Sequence, residues 1–235
     1  MKVGIIGAME QEVTLLRDQI DGLHTQRKAG FEFYTGHLAG HEVVLLRCGI
    51  GKVNAAIGTT LLLDNFSPEA VINTGSAGGF DPALKVGDLI IGDKVCHHDV
   101  DVTPFGYAPG QVPGLPTCFI ADPALIQVAE TAAADLEGLA HKRGLIASGD
   151  RFMHQPDDVE RVRARFPAML AAEMEAAAIA QACHLFNTPF VIIRALSDIA
   201  GQENAITFEQ FLDTAARHAA QLILKMLQQL PKQTD

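Results

Sequence analysis

Basic residues are scarce in this 235-residue chain: 18 Lys and Arg stand against 28 Asp and Glu, a net charge of −10. A nucleic-acid groove needs clustered cations to neutralise phosphates, so that function class is excluded, and plain solubility accounts for the acidity. Long apolar runs are missing too. No stretch approaches the ~20 residues a membrane helix requires, and the run after Met1-Lys2 stops at Gly7, too short for a signal peptide. Tryptophan is absent, and the four cysteines (Cys48, Cys96, Cys118 and Cys183) are widely spaced with no C-x-x-C. That spacing predicts reduced, mostly buried thiols rather than disulfides or a zinc site, and a cytoplasmic enzyme. There is no internal repeat, low-complexity tract or linker, so residues 1–235 read as a single domain of the larger α/β kind.

What is present alternates between strand and helix. Lys2 to Ile6 reads as a buried strand, and Glu10 to Ile20 as a helix. Phe31 to Tyr34 and Glu42 to Leu46 form a hairpin around Ala39-Gly40, and a helix opens at Gly49-Ile50-Gly51 and runs to about Asp64. Ala70 to Asn73 is a strand followed by a turn over Thr74 to Gly79. Asp88 to Val95 and Gly144 to Ser148 are strands; Pro123 to Leu136 and Pro156 to Arg165 are helices. Thr207 and Gln210 have the spacing of a capping box for a last helix ending near Leu230. Such alternation builds a parallel or mixed sheet between helical layers. One segment departs from it. From Thr103 to Phe119, four prolines and three glycines are interspersed with Phe105 and Tyr107. A structureless loop of that length is functional or disordered, and the aromatics favour the first.

The stretch from Ala171 to Asp198 organises the rest. Glu173-Met174-Glu175 opens an alanine-rich helical pattern reaching about Phe186, and after Asn187-Thr188-Pro189 a strand runs from Phe190 to Ser197 and ends on Asp198. Strand alternation puts Arg194, Leu196 and Asp198 on one face and Ile193, Ala195 and Ser197 on the other. An arginine in so apolar a strand needs a carboxylate to meet it. An acid at the C-terminal end of a buried strand lies where open α/β sheets hold ligands. On a helix, Glu173 and Glu175 would point roughly 200° apart, so at most one faces a given ligand. A helix N-terminus would keep that carboxylate ionised.

Other motifs have plain readings beside the functional ones. Gly4 and Gly7 do not complete a dinucleotide-binding G-x-G-x-x-G, and Gly49-Ile50-Gly51-Lys52 lacks the flanks of a triphosphate loop. Gly75 to Gly79 is either a tight connection or a backbone that faces a ligand. His97-His98-Asp99-Val100-Asp101 has ligand-type residues, but nothing completes a metal set, so it reads as a solvated strand end and no metal is expected. Glu10 and Glu12 both suit the first turn of a helix. Phe152 has the usual core fate of phenylalanine as its plain reading.

EMEAAAIAQ followed by VIIRALSD resembles the signature of 5′-methylthioadenosine/S-adenosylhomocysteine nucleosidases, within the purine nucleoside phosphorylase-like superfamily. GIIGAMEQEV, CGIGKVNAA, NTGSAGG and SGDRF are similar to the same family in the same order, so the likeness covers nearly the whole chain. It implies a three-layer α/β/α fold around a central mixed, partly barrel-like sheet, and a hydrolase needing no cofactor or metal. The bond cleaved would be the N-glycosidic bond of either named nucleoside, with 5′-deoxyadenosine a further substrate. The resemblance assigns Asp198 as general acid to adenine N7 and Glu12 as base for water, positioned by Arg194 and Ser76. Ala77, Gly78 and Ser197 would border the substrate, Phe152 would stack on adenine, and the backbone of Met153 would read its edge. Glu175 would take the ribose hydroxyls with Met174 against the sugar and Glu173 beside it. Met9, Ile50 and Phe208, with Phe105, Tyr107 and Pro113 of the partner subunit in a homodimer, would enclose the 5′-alkylthio group. Residues Gly7 to Leu16 contain no Lys or Arg, which favours water over phosphate as the nucleophile. A phosphorolytic transferase on the same fold is the nearer alternative, and a non-catalytic adenosine sensor the more distant one.

Overall fold

The computed structural model describes residues 1–201 and 204–231, apart from the side chains of residues 204–206. The chain opens with β1 (Lys2–Gly7), α1 (Glu10–Arg17) and the meander β2 (Asp21–Lys28), β3 (Phe31–Leu38) and β4 (His41–Arg47). After α2 (Lys52–Phe66) come β5 (Ala70–Asn73), β6 (Ser76–Gly79), β7 (Leu89–His97) and the short β8 (Phe119–Ile120). The remainder is α3 (Pro123–Ala134), β9 (His141–Ser148), α4 (Pro156–Arg165), β10 (Met169–Glu173), α5 (Ala176–Leu185), β11 (Phe190–Ile199) and α6 (Asn204–Gln229).

Among the described residues, eleven strands join one sheet in the order β2-β3-β4-β1-β5-β11-β6-β10-β9-β7-β8, with β11 also pairing β7. That extra pairing closes β11, β6, β10, β9 and β7 into a five-stranded mixed barrel, from which β5, β1 and β4 continue as an open parallel sheet. The expected mixed, partly barrel-like sheet is therefore present. α1 and α3 pack against α6, and α2 against α5, so helices cover the sheet in two groups.

β11 is the central strand. Its first residues pair β5, its last pair β6, and residues 192–195 pair β7 antiparallel. Every residue from Phe190 to Asp198 is buried, which is why the strand reads as one continuous apolar run broken only by functional groups. Its register against β6 slips between Leu196 and Asp198. A bulge of this kind bends a strand and re-aims its side chains.

Several sequence-based expectations need correction. α1 stops at Arg17, and Asp21–Lys28 is a strand that pattern reading missed because all eight residues are exposed and only Leu23 is a large apolar one. Ser76–Gly79 is not the tail of a turn but a strand running beside the second half of β11. The Glu173-Met174-Glu175 run does not open a helix. Glu173 ends β10, and Glu175 is the residue that caps α5. Thr207 lies inside α6, which begins at Asn204, so it is not the cap.

The proline-rich segment is held by its own bonds. The Gln111 side chain accepts from the Ala108 amide at 3.2 Å and donates to the Leu115 carbonyl at 2.9 Å, and Arg165 pairs with Asp101 at 3.1 Å. Gly110, with φ +81°, packs its Cα face against the His97 carbonyl and the Phe166 ring. An added Cβ would collide with that carbonyl in a backbone conformation already unfavourable to L-residues. Gly110→Ala should therefore lower stability by about 1–3 kcal/mol, read as a reduced urea midpoint at unchanged slope.

Candidate active site

Four carboxylates converge on one cavity of about 270 Å³, and each is held differently. Glu12 sits in the first turn of α1, just beyond β1. Its Oε2 accepts the amides of Ala8 and Met9 at 2.8 and 3.1 Å, closing the helix start from below. Its Oε1 accepts the amide and hydroxyl of Ser76 at 3.0 and 3.1 Å. Glu10, its neighbour in the same turn, pairs at the surface with Arg17 at 2.6 Å and Arg47 at 2.8 Å and does not line the cavity.

Arg194 and Glu173 form a buried ion pair. The guanidinium Nη2 donates to Glu173 Oε2 at 2.6 Å and to Asn73 Oδ1 at 2.7 Å, and both charged side chains are almost fully buried. Glu173 also accepts the amides of Glu175 and Ala176 at 2.9 and 2.8 Å and the Ser148 hydroxyl. Burial works against its charge, but Arg194, the Ser148 hydroxyl and the amides outweigh it and hold the carboxyl below the usual range. Sequence reasoning gave Arg194 to Glu12. The carboxylate that meets it is Glu173, because β10 ends with its carboxylate against β11. Gly75 lies close to both Glu12 and Arg194: a Cβ there would sit 3.0 Å from Glu12 Oε1 and 3.2 Å from Arg194 Nη1, tighter than ordinary contact, so a side chain would push on both.

Glu175 corrects a second expectation. It lies at the start of α5 and accepts the Gly51 amide at 2.8 Å. Yet burial, reinforced by the nearby charge of Glu173, pushes its carboxyl up to about 8, so the helix terminus does not keep it ionised. Both glutamates face the same cavity, contrary to the helical estimate that set them apart.

Asp198 is buried at the end of β11, where the Ser197 hydroxyl donates to its Oδ1 at 2.8 Å. Adjacent strand residues normally face opposite ways. Here the bulge brings Ser197 and Asp198 to the same cavity, and Gly78 opposite leaves room for the carboxylate.

The apolar part of the cavity holds Met9, Ile50, Ala77, Phe152, Met174 and Phe208. Phe152 is 41% exposed rather than a core residue, and its ring meets Phe208 edge-on at 5.7 Å. Met153 is buried behind it and lines a smaller adjoining recess with Gly78 and Met174. Phe105, Tyr107 and Pro113 do not line this chain's own cavity, and Phe105 is 81% exposed. His97 and His98, read from sequence as a solvated strand end, are in fact buried, and burial lowers both of their pKa values. Among the described residues, no group of three or more His, Cys, Asp or Glu is arranged to hold a metal ion.

Sequence reasoning missed Ala8 and Ala172, which also line the cavity, and the supporting Asn73 and Ser148. The alanines carry no chemical signal. Asn73 and Ser148 did, since a polar residue ending a buried strand must find a partner.

A barrel-centred α/β sheet with a carboxylate-lined cavity at the end of its longest strand is the architecture of the nucleoside phosphorylase-like enzymes. A family model described as the phosphorylase superfamily matches residues 2–228. The 5′-methylthioadenosine/S-adenosylhomocysteine nucleosidase of Hydrogenovibrio crunogenus is 63% identical over 98% of this chain and 99% of its own. The Neisseria meningitidis nucleosidase of that name, solved with methylthio-immucillin-A, superposes with a TM-score of 0.96 at 51% identity over 97% of this chain and 99% of its own. The Colwellia psychrerythraea enzyme, solved with adenine, gives 0.97 at 49% identity over 100% and 97%. The chain belongs to the 5′-methylthioadenosine/S-adenosylhomocysteine nucleosidase family of that superfamily. No helix among the described residues is long and apolar enough to cross a membrane.

Glu175 makes stability depend on pH. Its folded carboxyl binds a proton up to about pH 8, whereas in the unfolded chain it loses it near 4.5. Its contribution is fully present below 4.5 and is lost as pH rises through about 8. Glu175→Gln should flatten the fall in unfolding free energy across that window, measured by urea titration at several pH values. Glu173→Gln instead leaves Arg194 buried without its counter-charge and should cost about 3–5 kcal/mol, read in the same titration.

Proposed function

We propose that the chain hydrolyses the N-glycosidic bond of 5′-methylthioadenosine and S-adenosylhomocysteine, releasing adenine and 5-methylthioribose or S-ribosylhomocysteine. The observation that carries this reading is the charge of the cavity. Glu12, Glu173, Glu175 and Asp198 line it, and none of the described residues lining it is Lys, Arg or His. Glu175 keeps its proton to about pH 8 and Glu173 is matched by Arg194, so the repulsion a phosphate would meet comes from Glu12: two unit charges ~4 Å apart interact by about 4 kcal/mol at an effective dielectric near 20. Arg194 cannot offset this, because Glu173 already holds it. A water meets no such obstacle, so hydrolysis is favoured over phosphorolysis.

In this reading Asp198 donates a proton to adenine N7 as the C1′–N9 bond breaks, and the sugar passes through an oxocarbenium-like state. Water attacks the opposite face of C1′ and gives its proton to Glu12, while Ser76, bonded to the same carboxylate, orients that water. Glu175 receives the ribose hydroxyls at the end of α5. Its raised pKa means the diol must draw out the ionised form, or accept from the protonated one, at neutral pH. Phe152 supplies the stacking face, and Met9, Ile50 and Phe208 the apolar wall for the 5′-thioether. The enzyme works as a cytoplasmic homodimer, consistent with its free cysteines. Val53 and Ile57, one turn apart on α2, and Phe105 expose apolar surface that a second copy would cover. Phe105, Tyr107 and Pro113 of the partner subunit would then complete the thioether wall.

Adenine release should proceed fully in phosphate-free buffer with free methylthioribose as the sugar product. Phosphate-dependent rates with a sugar 1-phosphate would establish a phosphorylase instead. Glu12→Gln and Asp198→Asn should each lower turnover about 10²–10⁴-fold while inhibitor binding survives. Light scattering should give twice the chain mass, and a fully active monomer would remove the shared wall.

A further inference from the structure

Two of the four thiols meet outside the cavity. β7 and β8 pair antiparallel, with Lys94 opposite Ile120 and Val95 opposite Phe119. One step beyond the paired residues, the same register would set Cys96 opposite Cys118, which immediately precedes β8. Both pack into the same apolar cluster, beside Ala147, Met153 and Phe166, so they lie on one face of the sheet. Opposed residues of an antiparallel pair have Cα atoms ~4.5–5.5 Å apart, within the ~4.4–6.8 Å a disulfide spans. Neither cysteine lines the cavity.

The two sulfurs differ in a useful way. Cys96 is buried and Cys118 only half-buried, so one meets solvent while the other stands behind it. The neighbouring Cys96 thiol acts against burial, and with the charge of Lys94 it brings the Cys118 thiol down to about 7. Burial pushes Cys183 up to about 12 and raises Cys48 as well, leaving both inert.

We propose that Cys96 and Cys118 form a dithiol oxidation site, which a hydroperoxide converts into a cross-strand disulfide at the base of the proline-rich loop. The Cys118 thiolate attacks one peroxide oxygen, the O–O bond breaks, and with a proton the other oxygen leaves as water, giving a sulfenic acid. The Cys96 sulfur then displaces the hydroxyl, which departs as water with the Cys96 proton. Two thiols are oxidised and one hydrogen peroxide is reduced to two waters. The new bond ties together the two ends of the segment carrying Phe105, Tyr107 and Pro113, and so restricts it.

The test uses the reduced protein in its native assembly. It is exposed to a small excess of hydrogen peroxide, alkylated, and digested without reductant. One peptide pair joining Cys96 to Cys118 is expected, reversible by dithiothreitol, with Cys48 and Cys183 still carrying free thiols. Cys96→Ser should stop at a Cys118 sulfenic acid trapped by dimedone, and Cys118→Ser should leave Cys96 unmodified. Amide exchange across residues 98–117 should slow in the oxidised protein. Conversion of Cys118 to sulfinic acid without a linked peptide would overturn the proposal. So would equally fast oxidation of Cys48 or Cys183, or links formed only between subunits.

Discussion

The buried pair of Arg194 and Glu173 is the constraint around which the cavity is assembled. Removing both charges from water costs several kcal/mol per ion, and a bare pair would not recover it. Here backbone and side chains both contribute: two amides at the start of α5 and the Ser148 hydroxyl donate to Glu173, and the Asn73 side-chain oxygen and the Ile193 carbonyl accept from Arg194. The pair thereby fixes the ends of β5, β9 and β10, the middle of β11 and the first turn of α5 relative to one another. A carboxylate that satisfies so many elements serves mainly to hold geometry, and the groups left to do chemistry are its neighbours.

Those neighbours are chemically distinct because their surroundings are. Glu12 is met by four donors and no counter-ion, Glu175 by one amide in a dry and negatively charged setting, and Asp198 by a hydroxyl in the floor of the cavity. Separating like groups by environment is how a single site provides an acid and a base together. Glu173 contributes to that separation at a distance, since its charge is one reason Glu175 retains a proton.

Much of this was legible in the residues. β11 announced itself by an apolar run carrying one arginine and one terminal acid, and of the residues the family resemblance placed in this subunit's site, all but Arg194 and Met153 line the cavity. What was not legible was pairing. Glu12 and Glu173 are both acids beside strand ends, and no sequence pattern says which will reach Arg194; that depends on the barrel closing β10 onto β6 and β9. Helical spacing misjudged Glu173 and Glu175 because a strand end followed by a helix cap looks, in letters, like the first turn of a helix. The bulge after Leu196 was hidden for a similar reason, since alternation assumes an unbroken ladder. β2 escaped because a fully exposed strand has no apolar face to reveal its period.

The position of β11 also bears on how the protein comes into being. Phe190 pairs with Val71, and Asp198 with Gly78, so the strand's partners were made more than a hundred residues earlier. Contacts of such separation form late, after the entropy of closing a long loop has been met. Until β11 inserts, the barrel stands open between β6 and β7, Glu173 lacks its arginine and the cavity its terminal acid. Without β11 the strands fall into two separate groups, β2-β3-β4-β1-β5 and β6-β10-β9-β7-β8, because this strand alone joins β5 to β6. Closure and competence then arrive in the same step.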